Sequence, residues 1–387
     1  MNRLVKSLVI TLGVCFVFGS CGNDPKTTRT EQIRVGTYDP RSGDGIFRSS
    51  FIHEIELIPL ETTDSSLIGT SPECIVDRAG EYYIADMNGS QKILRYDSTG
   101  RFLNTIGSRG RGPQEYLGIS NYLIDTLTGH VSVFSNLDKK VCVYDKDGTF
   151  VSSRIFSIPF SQGWPIGDSY WLYEGYMNGH SEYRVLKVDA QEKIMETLLP
   201  ADIQIMPMTE SFPVFIPVFG DKLLLRETFS NQIYCLEEGN AVPVFKFDFG
   251  AYSIPDEYYE MDDVKESVNY IMQRDFVCID RFMENEKYVF VQALLKKTDD
   301  KNGLVYGILD KLSDQWQWYT FTDITNNPHP GAGTVRILTP DNELLCLVDP
   351  TRLMDMPSEE RSVFKNPVVI DNLTEESNPV LIKCRLK

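Results

Sequence analysis

A short glycine- and arginine-rich segment, 107–113, has the composition of a loop that could hold an anion. It reads Gly-Ser-Arg-Gly-Arg-Gly-Pro, so its glycines are spaced GxxGxG and no Lys-Ser/Thr pair follows them. Nucleotide-binding loops use the spacings GxGxxG or GxxxxGK[ST] instead. Arg109 and Arg111 are therefore candidates for binding a carboxylate, a sulfate or a uronic acid. The alternative is a glycine-shaped turn whose arginines bond neighbouring carbonyls or carboxylates.

A second candidate lies in an aromatic region between residues 164 and 183. Its loop, 174–180, reads Glu-Gly-Tyr-Met-Asn-Gly-His. Flat aromatic faces beside hydrogen-bonding groups suit a sugar, so Tyr176 and His180 are candidates for binding a glycan. The aromatic residues of the flanking strands are expected to pack in a core instead.

Recognisable motifs for metal or nucleophilic chemistry do not occur in the sequence. The four histidines are isolated, and neither HExxH nor GxSxG is found. The segment 86–89, Asp-Met-Asn-Gly, matches a calcium loop only in its first positions and lacks the distal Glu, which favours a plain turn. No cofactor is predicted, and no catalytic residue can be assigned.

The elements that would position these residues repeat along the chain. The segment 92–97 (KILRYD) matches 140–145 (KVCVYD), and a turn containing glycine follows each. Weaker copies end at Asp189 and Glu237, so successive acidic positions lie 48, 44 and 48 residues apart. Several short strands per unit at this period are typical of a β-propeller with one blade per repeat.

The ends of the chain complete the ring. Strand patterns at 51–60 and 379–386 can pair within one blade and so hide the edge strands. We therefore predict an all-β fold, a six-bladed β-propeller closed by its N- and C-terminal strands. The segment 107–113 connects one blade to the next and is expected near the mouth of the central channel. The predicted blades occupy 71–106, 122–158, 164–199, 212–249, a fifth from 288, and 334–348 with the two ends.

One insertion interrupts the repeat between Glu237 and the next acidic turn at Asp310. The segment 253–256, Ser-Ile-Pro-Asp, has the residues of a helix start. Apolar residues then follow at helical spacing up to Met272. The pattern predicts one amphipathic helix at about 255–274, packed on the outside or on one face of the propeller.

The N-terminus carries a targeting signal. Arg3 and Lys6 precede an apolar stretch at 8–18 that is too short to span a bilayer comfortably. The segment 18–21, Phe-Gly-Ser-Cys, resembles the lipobox of bacterial lipoproteins, which implies cleavage before Cys21 and a lipid on its thiol. A plain secretory signal or an uncleaved anchor is the alternative. The predicted domains are a signal peptide at 1–20, a flexible polar tether at 21–50 and the propeller at 51–387.

Charge and cysteine content limit the partners and the redox chemistry. The formal net charge of −17 argues against nucleic acid or an anionic membrane surface as the ligand. Six cysteines follow Cys21, none in a CxxC pair, and several stand between aliphatic residues in strand patterns. An even number of cysteines in an oxidising compartment permits disulfides, but we expect these thiols to be mostly free and buried.

The segment 83–113 looks like an NHL repeat, and the whole chain resembles the six-bladed β-propeller lipoproteins common in Bacteroidetes. Three segments carry the resemblance: 58–62 (Ile-Pro-Leu-Glu-Thr), 110–116 (Gly-Arg-Gly-Pro-Gln-Glu-Tyr) and 378–382 (Asn-Pro-Val-Leu-Ile). The resemblance implies the fold and a lipid-anchored location in the cell envelope, at the outer membrane or the periplasmic face. It implies no agreed activity.

Three functions are compatible with these features. The leading hypothesis is a non-enzymatic module that binds a glycan, a peptide or an envelope protein at the channel face, with the membrane as partner through the lipid. The alternative is a metal-dependent hydrolase or lyase of the lactonase or NHL-lyase type, with axial carboxylates holding Ca²⁺ or Zn²⁺. It predicts that three or more Asp, Glu, Asn or His side chains converge near the axis. A structural partner of an outer-membrane complex is the third.

Overall fold

The computed structural model describes residues 33–38, 50–69, 72–76, 79–125, 128–175, 181–201, 214–217, 222–227, 229–261, 263–299, 302–322 and 335–387. All of them belong to one compact unit, Ile33–Lys387. In chain order the strands are β1 (Arg34–Thr37), β2 (Ile52–Pro59), β3 (Glu73–Val76), β4 (Tyr82–Asp86), β5 (Lys92–Tyr96), β6 (Phe102–Ile106), β7 (Asn121–Ile124), β8 (Val131–Ser135), β9 (Lys140–Tyr144), β10 (Phe150–Ile155), β11 (Gln162–Ile166), β12 (Ser169–Tyr173), β13 (Tyr183–Val188), β14 (Ile194–Pro200), β15 (Phe215–Pro217), β16 (Leu223–Arg226), β17 (Gln232–Glu237), β18 (Asn240–Asp248), β19 (Phe276–Glu284), β20 (Tyr288–Lys296), β21 (Gly303–Asp310), β22 (Gln315–Thr322), β23 (Val335–Leu338), β24 (Glu343–Val348) and β25 (Val380–Leu386).

These strands form six sheets, which are the blades of a propeller. From the axis outward, blade one is β3-β4-β5-β6, blade two β7-β8-β9-β10 and blade three β11-β12-β13-β14. Blade four is β15-β16-β17-β18 with β1 added outside, blade five is β19-β20-β21-β22, and blade six is β23-β24-β25-β2. The six-bladed all-β prediction is confirmed. Blade five begins at β19, earlier in the chain than the strand from which it was predicted.

The closure of the ring is also confirmed. The N-terminal strand β2 runs antiparallel to the C-terminal β25, from Ile52 opposite Leu386 to Pro59 opposite Val380. The outer edge of β2 is not left open, because the Asn366 side chain bonds both the N–H and the C=O of Leu57, at 2.9 and 2.8 Å. When the backbone groups of an edge strand are already hydrogen-bonded in this way, the strand is protected from pairing with another chain.

The acidic residue that marks each repeat shapes a turn. Asp97 accepts hydrogen bonds from the backbone N–H groups of Thr99 and Arg101, at 2.9 and 3.0 Å. The Thr99 hydroxyl, together with these bonds, lowers the pKa of Asp97 to about 2. Gly100 follows at φ +86°, and a Cβ there would lie 2.2 Å from the Pro59 carbonyl oxygen in blade six. The repeated Asp-x-x-Gly pattern therefore forms a tight turn that also lets neighbouring blades approach.

The insertion after blade four contains two short helices rather than the single one predicted. Helix α1 covers Asp256–Tyr259 and α2 covers Val264–Met272. The Asp263 carboxylate accepts from the N–H of Glu266 at 2.8 Å, so it caps α2 and starts a new helix inside the predicted one. A third helix, α3, covers Pro350–Met354 in the segment between the second and third strands of blade six.

Part of the predicted tether is ordered. The strand β1 pairs in parallel with β18, from Arg34 opposite Phe245 to Thr37 opposite Asp248. Gly36 is required there, because a Cβ would lie 2.8 Å from the Phe247 ring. A four-residue strand whose buried position is a glycine has no apolar periodicity, which explains why the sequence pattern did not reveal it.

The core lies between neighbouring blades, and the cysteines belong to it. All six thiols after Cys21 are free, and five of them are buried, as expected. Cys142 packs with blade one residues such as Tyr83, whereas Cys235 packs with blade five residues such as Val277. The two thiols therefore point to opposite sides of their sheets.

Candidate functional site

The two ends of the ring differ in their loops. In an antiparallel blade, the loops after the first and third strands emerge at one end, and those after the second and fourth strands emerge at the other. The first end carries short turns such as 97–101. The second end carries the segments 107–120, 249–275 and 349–379, and we call it the long-loop face. In ring-shaped repeat proteins, insertions on one face often form the binding surface.

Around the axis, polar side chains link each blade to the next. Arg336 on the inner strand of blade six reaches Glu73 on the inner strand of blade one. Such buried bonds hold the inner strands in a defined arrangement, because breaking one would leave a buried polar group unsatisfied. The other five links are Tyr122 Oη to the Tyr83 carbonyl (2.9 Å), Asn121 Nδ2 to the Gly163 carbonyl (2.8 Å), Val214 N to Gln162 Oε1 (2.8 Å), Arg226 Nη1 to the Ile279 carbonyl (3.1 Å) and Val335 N to Gln292 Oε1 (3.0 Å).

An ion cluster lies in the channel at its long-loop end. Arg281 of blade five donates from Nη1 and Nη2 to the two carboxylate oxygens of Glu73, at 2.9 and 2.6 Å. Arg336 donates to Oε1 of the same carboxylate at 3.0 Å. Blades five and one are not neighbours, so the Arg281–Glu73 pair bridges part of the channel. The Glu73 side chain keeps 14 % of its surface exposed and is the most accessible of the three.

A second pair of charged residues, Arg226 and Asp280, lies beside this cluster. Arg226 ends the second strand of blade four and is fully buried. Its Nη1 donates to the Ile279 carbonyl, whereas its Nε and Nη2 have no hydrogen-bond partner among the described residues. Asp280 of blade five is partly exposed as a residue, and its Oδ2 accepts from Gln292 at 2.9 Å. Its Oδ1 is buried and has no partner in the described part of the chain. The site therefore contains unused donors and one unused acceptor.

The electrostatics of the site favour an anion. Three arginines, Arg226, Arg281 and Arg336, face two carboxyl groups, so the cluster is positive even when both carboxyls are ionised. Burial raises the pKa of Asp280, although Arg281, Gln292 and Arg226 act in the opposite direction. Burial lowers the pKa of Arg336, and the nearby Glu73 opposes this. A guanidinium group stays protonated at every pH at which the protein is folded. The axis therefore carries local positive charge within a strongly acidic chain.

The arrangement does not match the site that the Ca²⁺ or Zn²⁺ alternative predicts. Within the described parts of the chain, no group of three or more His, Cys, Asp and Glu side chains is placed to hold a metal ion. Asp86, from the weak calcium-loop match, instead caps its own turn by accepting from the N–H groups of Gly89 and Ser90, at 3.0 and 2.6 Å. An arginine-rich axis is suited to carboxylates and not to cations.

The glycine-rich segment 107–113 is held away from the axis. Lys140, at the start of the third strand of blade two, donates to the carbonyls of Gly112, Pro113 and Glu115, at 3.2, 2.8 and 2.7 Å. Ser153, on the outer strand of the same blade, donates to the Pro113 carbonyl at 3.2 Å. These contacts place the segment against the outer half of blade two and not at the channel mouth, where it was expected.

The two arginines of that segment are both exposed, and the structure does not bring them to the axial cluster. Arg109 donates from Nε to the Leu117 carbonyl at 3.2 Å, which is the role that the turn alternative assigns to it. Glu115 accepts from the Gly112 N–H at 2.7 Å and fills the space that a Cβ at Gly110 would need. The glycines therefore accommodate Glu115, and Arg111 remains on the surface as an untested candidate.

Tyr176, His180 and Cys21 lie outside the described residues. Their roles in glycan binding and lipid attachment stay predictions.

The axial residues were missed by the sequence analysis, although two signals were present. Asp280 and Arg281 are charged neighbours inside the otherwise mostly apolar strand β19. Arg226 ends a run of three leucines in β16. Charged residues inside buried strands have to find partners, and near a propeller axis those partners come from other blades.

The fold and the site define a six-bladed β-propeller with an arginine-rich axis. Residues 37–385 match one family model, and the chain belongs to that family, which is described as "Domain of unknown function (DUF4934)". No curated protein matches the chain.

Solved structures share this fold at low sequence identity. A protein of Bacteroides fragilis to which export is attributed is similar with a TM-score of 0.73 and 20 % identity, covering 92 % of this chain and 100 % of its own. A member of the DUF4221 family from Bacteroides vulgatus has a TM-score of 0.52 and 9 % identity, with 87 % and 97 % covered. Identities this low show the fold alone. Separately, none of the helices among the described residues is long and apolar enough to span a bilayer.

Proposed function

We propose that this protein is a lipid-anchored, non-enzymatic binding module of the bacterial cell envelope, which takes a carboxylate-bearing ligand at the axis of its long-loop face. The observation that carries the proposal is the excess of arginine over acid in the axial cluster. Within the described ranges, Arg226 and Arg336 both keep N–H groups without a partner. The carboxyl groups of Glu73 and Asp280 cannot neutralise all three arginines.

The ligand-facing part of the cluster is the Glu73–Arg336 pair. Both belong to inner strands and lie near the ends of those strands that open on the long-loop face. Their side chains keep 14 % and 8 % of their surface exposed. Guanidinium groups bind carboxylates through two parallel hydrogen bonds, and in a partly desolvated channel such bonds are stronger than in water.

Binding to an acidic sugar tests this function. We expect isothermal titration calorimetry to show that residues 33–387 bind oligogalacturonate in preference to the matched neutral oligogalactoside. Arg336→Gln should weaken that binding by about tenfold, the size of one lost charge-assisted hydrogen bond. Arg101→Gln is the matched control, because the Arg101 side chain is 71 % exposed and lies at the short-turn end. Equal binding of the acidic and neutral sugars by the native protein, or equal loss in both variants, would contradict the proposal.

The lipid anchor is tested separately on the full-length chain. Metabolic labelling with a fatty acid in a bacterial host should label the native protein and leave Cys21→Ser unlabelled, while both remain detectable by antibody. Label retained in Cys21→Ser would exclude this cysteine as the attachment site.

Metal-dependent turnover of lactones by the purified protein would contradict the non-enzymatic part of the proposal and support the hydrolase or lyase alternative.

A further inference from the structure

Two other buried arginines of the propeller show how the Nε and Nη2 side of a guanidinium group, the side in question in Arg226, normally binds a carboxylate. Arg95 presents Nε and Nη2 to the two carboxylate oxygens of Glu81, at 2.7 and 2.9 Å. Arg184 presents the same two nitrogens to Glu227, also at 2.7 and 2.9 Å. This side-on arrangement is the standard geometry of an arginine–carboxylate pair. Arg226 is more deeply buried than either of them, yet its Nε and Nη2 form no hydrogen bond to any carboxylate that the structure describes.

Among the described residues, the carboxyl groups near Arg226 accept hydrogen bonds from other donors, although Asp280 keeps its Oδ1 without one. Glu227 follows Arg226 in the chain, but its oxygens accept from Arg184 and from the Tyr173 hydroxyl. Glu73 accepts from two other arginines, and one oxygen of Asp280 accepts from Gln292. A fully buried guanidinium with an unsatisfied edge costs free energy in the unliganded protein.

We propose that the Nε–Nη2 edge of Arg226 is the subsite for the carboxylate of the ligand, and that the ligand reaches it from the channel by displacing the Asp280 side chain. This inference rests on the proposed function, since it names the chemical group recognised at that same axis. Displacement is required because both nitrogens are covered by protein atoms. Asp280 is the group to move, because it is partly exposed and lies within electrostatic range of Arg226.

A second consequence is that binding takes up a proton. Two carboxylates cannot share one cationic site without repulsion, so an incoming anion favours the neutral form of Asp280. The groups acting on Asp280 are the cations Arg281 and Arg226, the amide of Gln292, and the nearby phenol of Tyr306, whose own pKa burial and Asp280 both raise. Burial already raises the pKa of Asp280. Affinity for a carboxylate should therefore fall as the pH rises through the pKa of Asp280.

The decisive experiment is calorimetry of residues 33–387 with four probes: galacturonate, N-acetyl-dialanine with a free carboxylate, neutral galactose and inorganic sulfate. At pH 7, in two buffers of different ionisation enthalpy, we expect carboxylate binding with net proton uptake. Arg226→Met should weaken carboxylate binding by about tenfold or more. Asp280→Asn should abolish the proton uptake and tighten binding by about tenfold, because it removes the competing negative charge. Preference for the sugar acid over the peptide acid, or the reverse, identifies the source of the carboxylate.

Failure of this inference can be distinguished from failure of the proposed function. If Arg226→Met binds galacturonate like the native protein while Arg336→Gln does not, the axis binds anions but Arg226 is not the subsite. If the native protein binds no carboxylate probe, or binds sulfate equally well, both proposals fail. Circular dichroism checks the fold of Arg226→Met. Should that variant not fold, Asp280→Asn decides the question, because unchanged proton uptake in it overturns the displacement of Asp280.

Discussion

Two buried arginines of neighbouring blades, Arg184 and Arg226, show what the polar interior of this propeller does. Arg184 at the interface of blades three and four pairs side-on with Glu227 and also donates to the Pro200 carbonyl. Arg226 at the axis donates one hydrogen bond to a carbonyl, and two of its nitrogens have no partner in the part of the chain that the structure describes. Both residues are buried guanidinium groups, but among the described residues only Arg184 forms a side-on pair with a carboxylate.

Under the proposed function, this difference separates a structural role for Arg184 from a binding role for Arg226. A buried arginine with its carboxylate is satisfied in the folded chain, so breaking the pair costs stability and changes little else. A buried arginine without one is a cost to the folded chain, and a ligand carboxylate can recover that cost. The interface of blades three and four is therefore held by its own ion pair, whereas the proposed function assigns the missing partner at the axis to a ligand anion.

The largest expected effect is at Glu227. Replacing it by Gln leaves Arg184 buried without its counter-charge, so we expect a loss of about 3–5 kcal/mol in the free energy of unfolding. Urea denaturation followed by tryptophan fluorescence measures this. Glu343→Gln is the matched control, because the Arg385–Glu343 pair has side chains 45 % and 20 % exposed and should contribute less than about 1 kcal/mol. Equal effects of the two substitutions would remove the distinction between buried and surface pairs.

At the axis, Glu73→Gln should have a smaller effect, of about 2 kcal/mol, in the same urea experiment. Glu73 is the common acceptor of Arg281 and Arg336, but its partial exposure allows water to replace some of the lost interaction. The substitution also makes the axis more positive, so affinity for galacturonate should rise. A stability loss as large as that of Glu227→Gln would show that the axis is as structural as the interface.

Asp280→Asn should stabilise the protein at neutral pH by on the order of 1 kcal/mol. The pKa of Asp280 is raised by burial, so the native protein loses stability as the pH rises through that pKa, whereas the variant does not. The gap between the two melting temperatures should therefore be small near pH 4 and widen towards pH 7. Thermal unfolding across this pH range measures it, and a gap that narrows with rising pH would mean that Asp280 is stabilised in its charged form.

The smallest effect is expected for Arg226→Met. The burial of Arg226 is compensated by a single hydrogen bond, from Nη1 to the Ile279 carbonyl. An apolar side chain of similar length should therefore change the free energy of unfolding by no more than about 1 kcal/mol. The corresponding Arg184→Met should be destabilising by several times that amount, since it leaves Glu227 buried and unpaired. Urea denaturation of the Arg226→Met and Arg184→Met variants measures both changes in the free energy of unfolding. A loss of free energy of unfolding in Arg226→Met as large as that in Arg184→Met would show that Arg226 has a structural role.

Much of the scaffold could be predicted from local patterns. The Asp97 and Asp145 turns recur because both aspartates accept from backbone N–H groups two and four residues ahead, which a short sequence motif is enough to specify. The helical insertion was located from its apolar spacing, although the cap at Asp263 divides it into two helices. Of the candidate binding residues, Arg109 is engaged with its own loop, and the segment around it lies against blade two.

The sequence by itself determined the repeat, the paired termini and the free, buried thiols, because each depends on residues close in the chain or on a period repeated along it. Only the tertiary structure decided which charged residues meet at the axis. Glu73, Arg226, Asp280 and Arg336 lie in four different blades and are brought together by closure of the ring. Whether a buried arginine finds a carboxylate depends on that closure, since Glu227 is beside Arg226 in the chain but bonds to Arg184 in space.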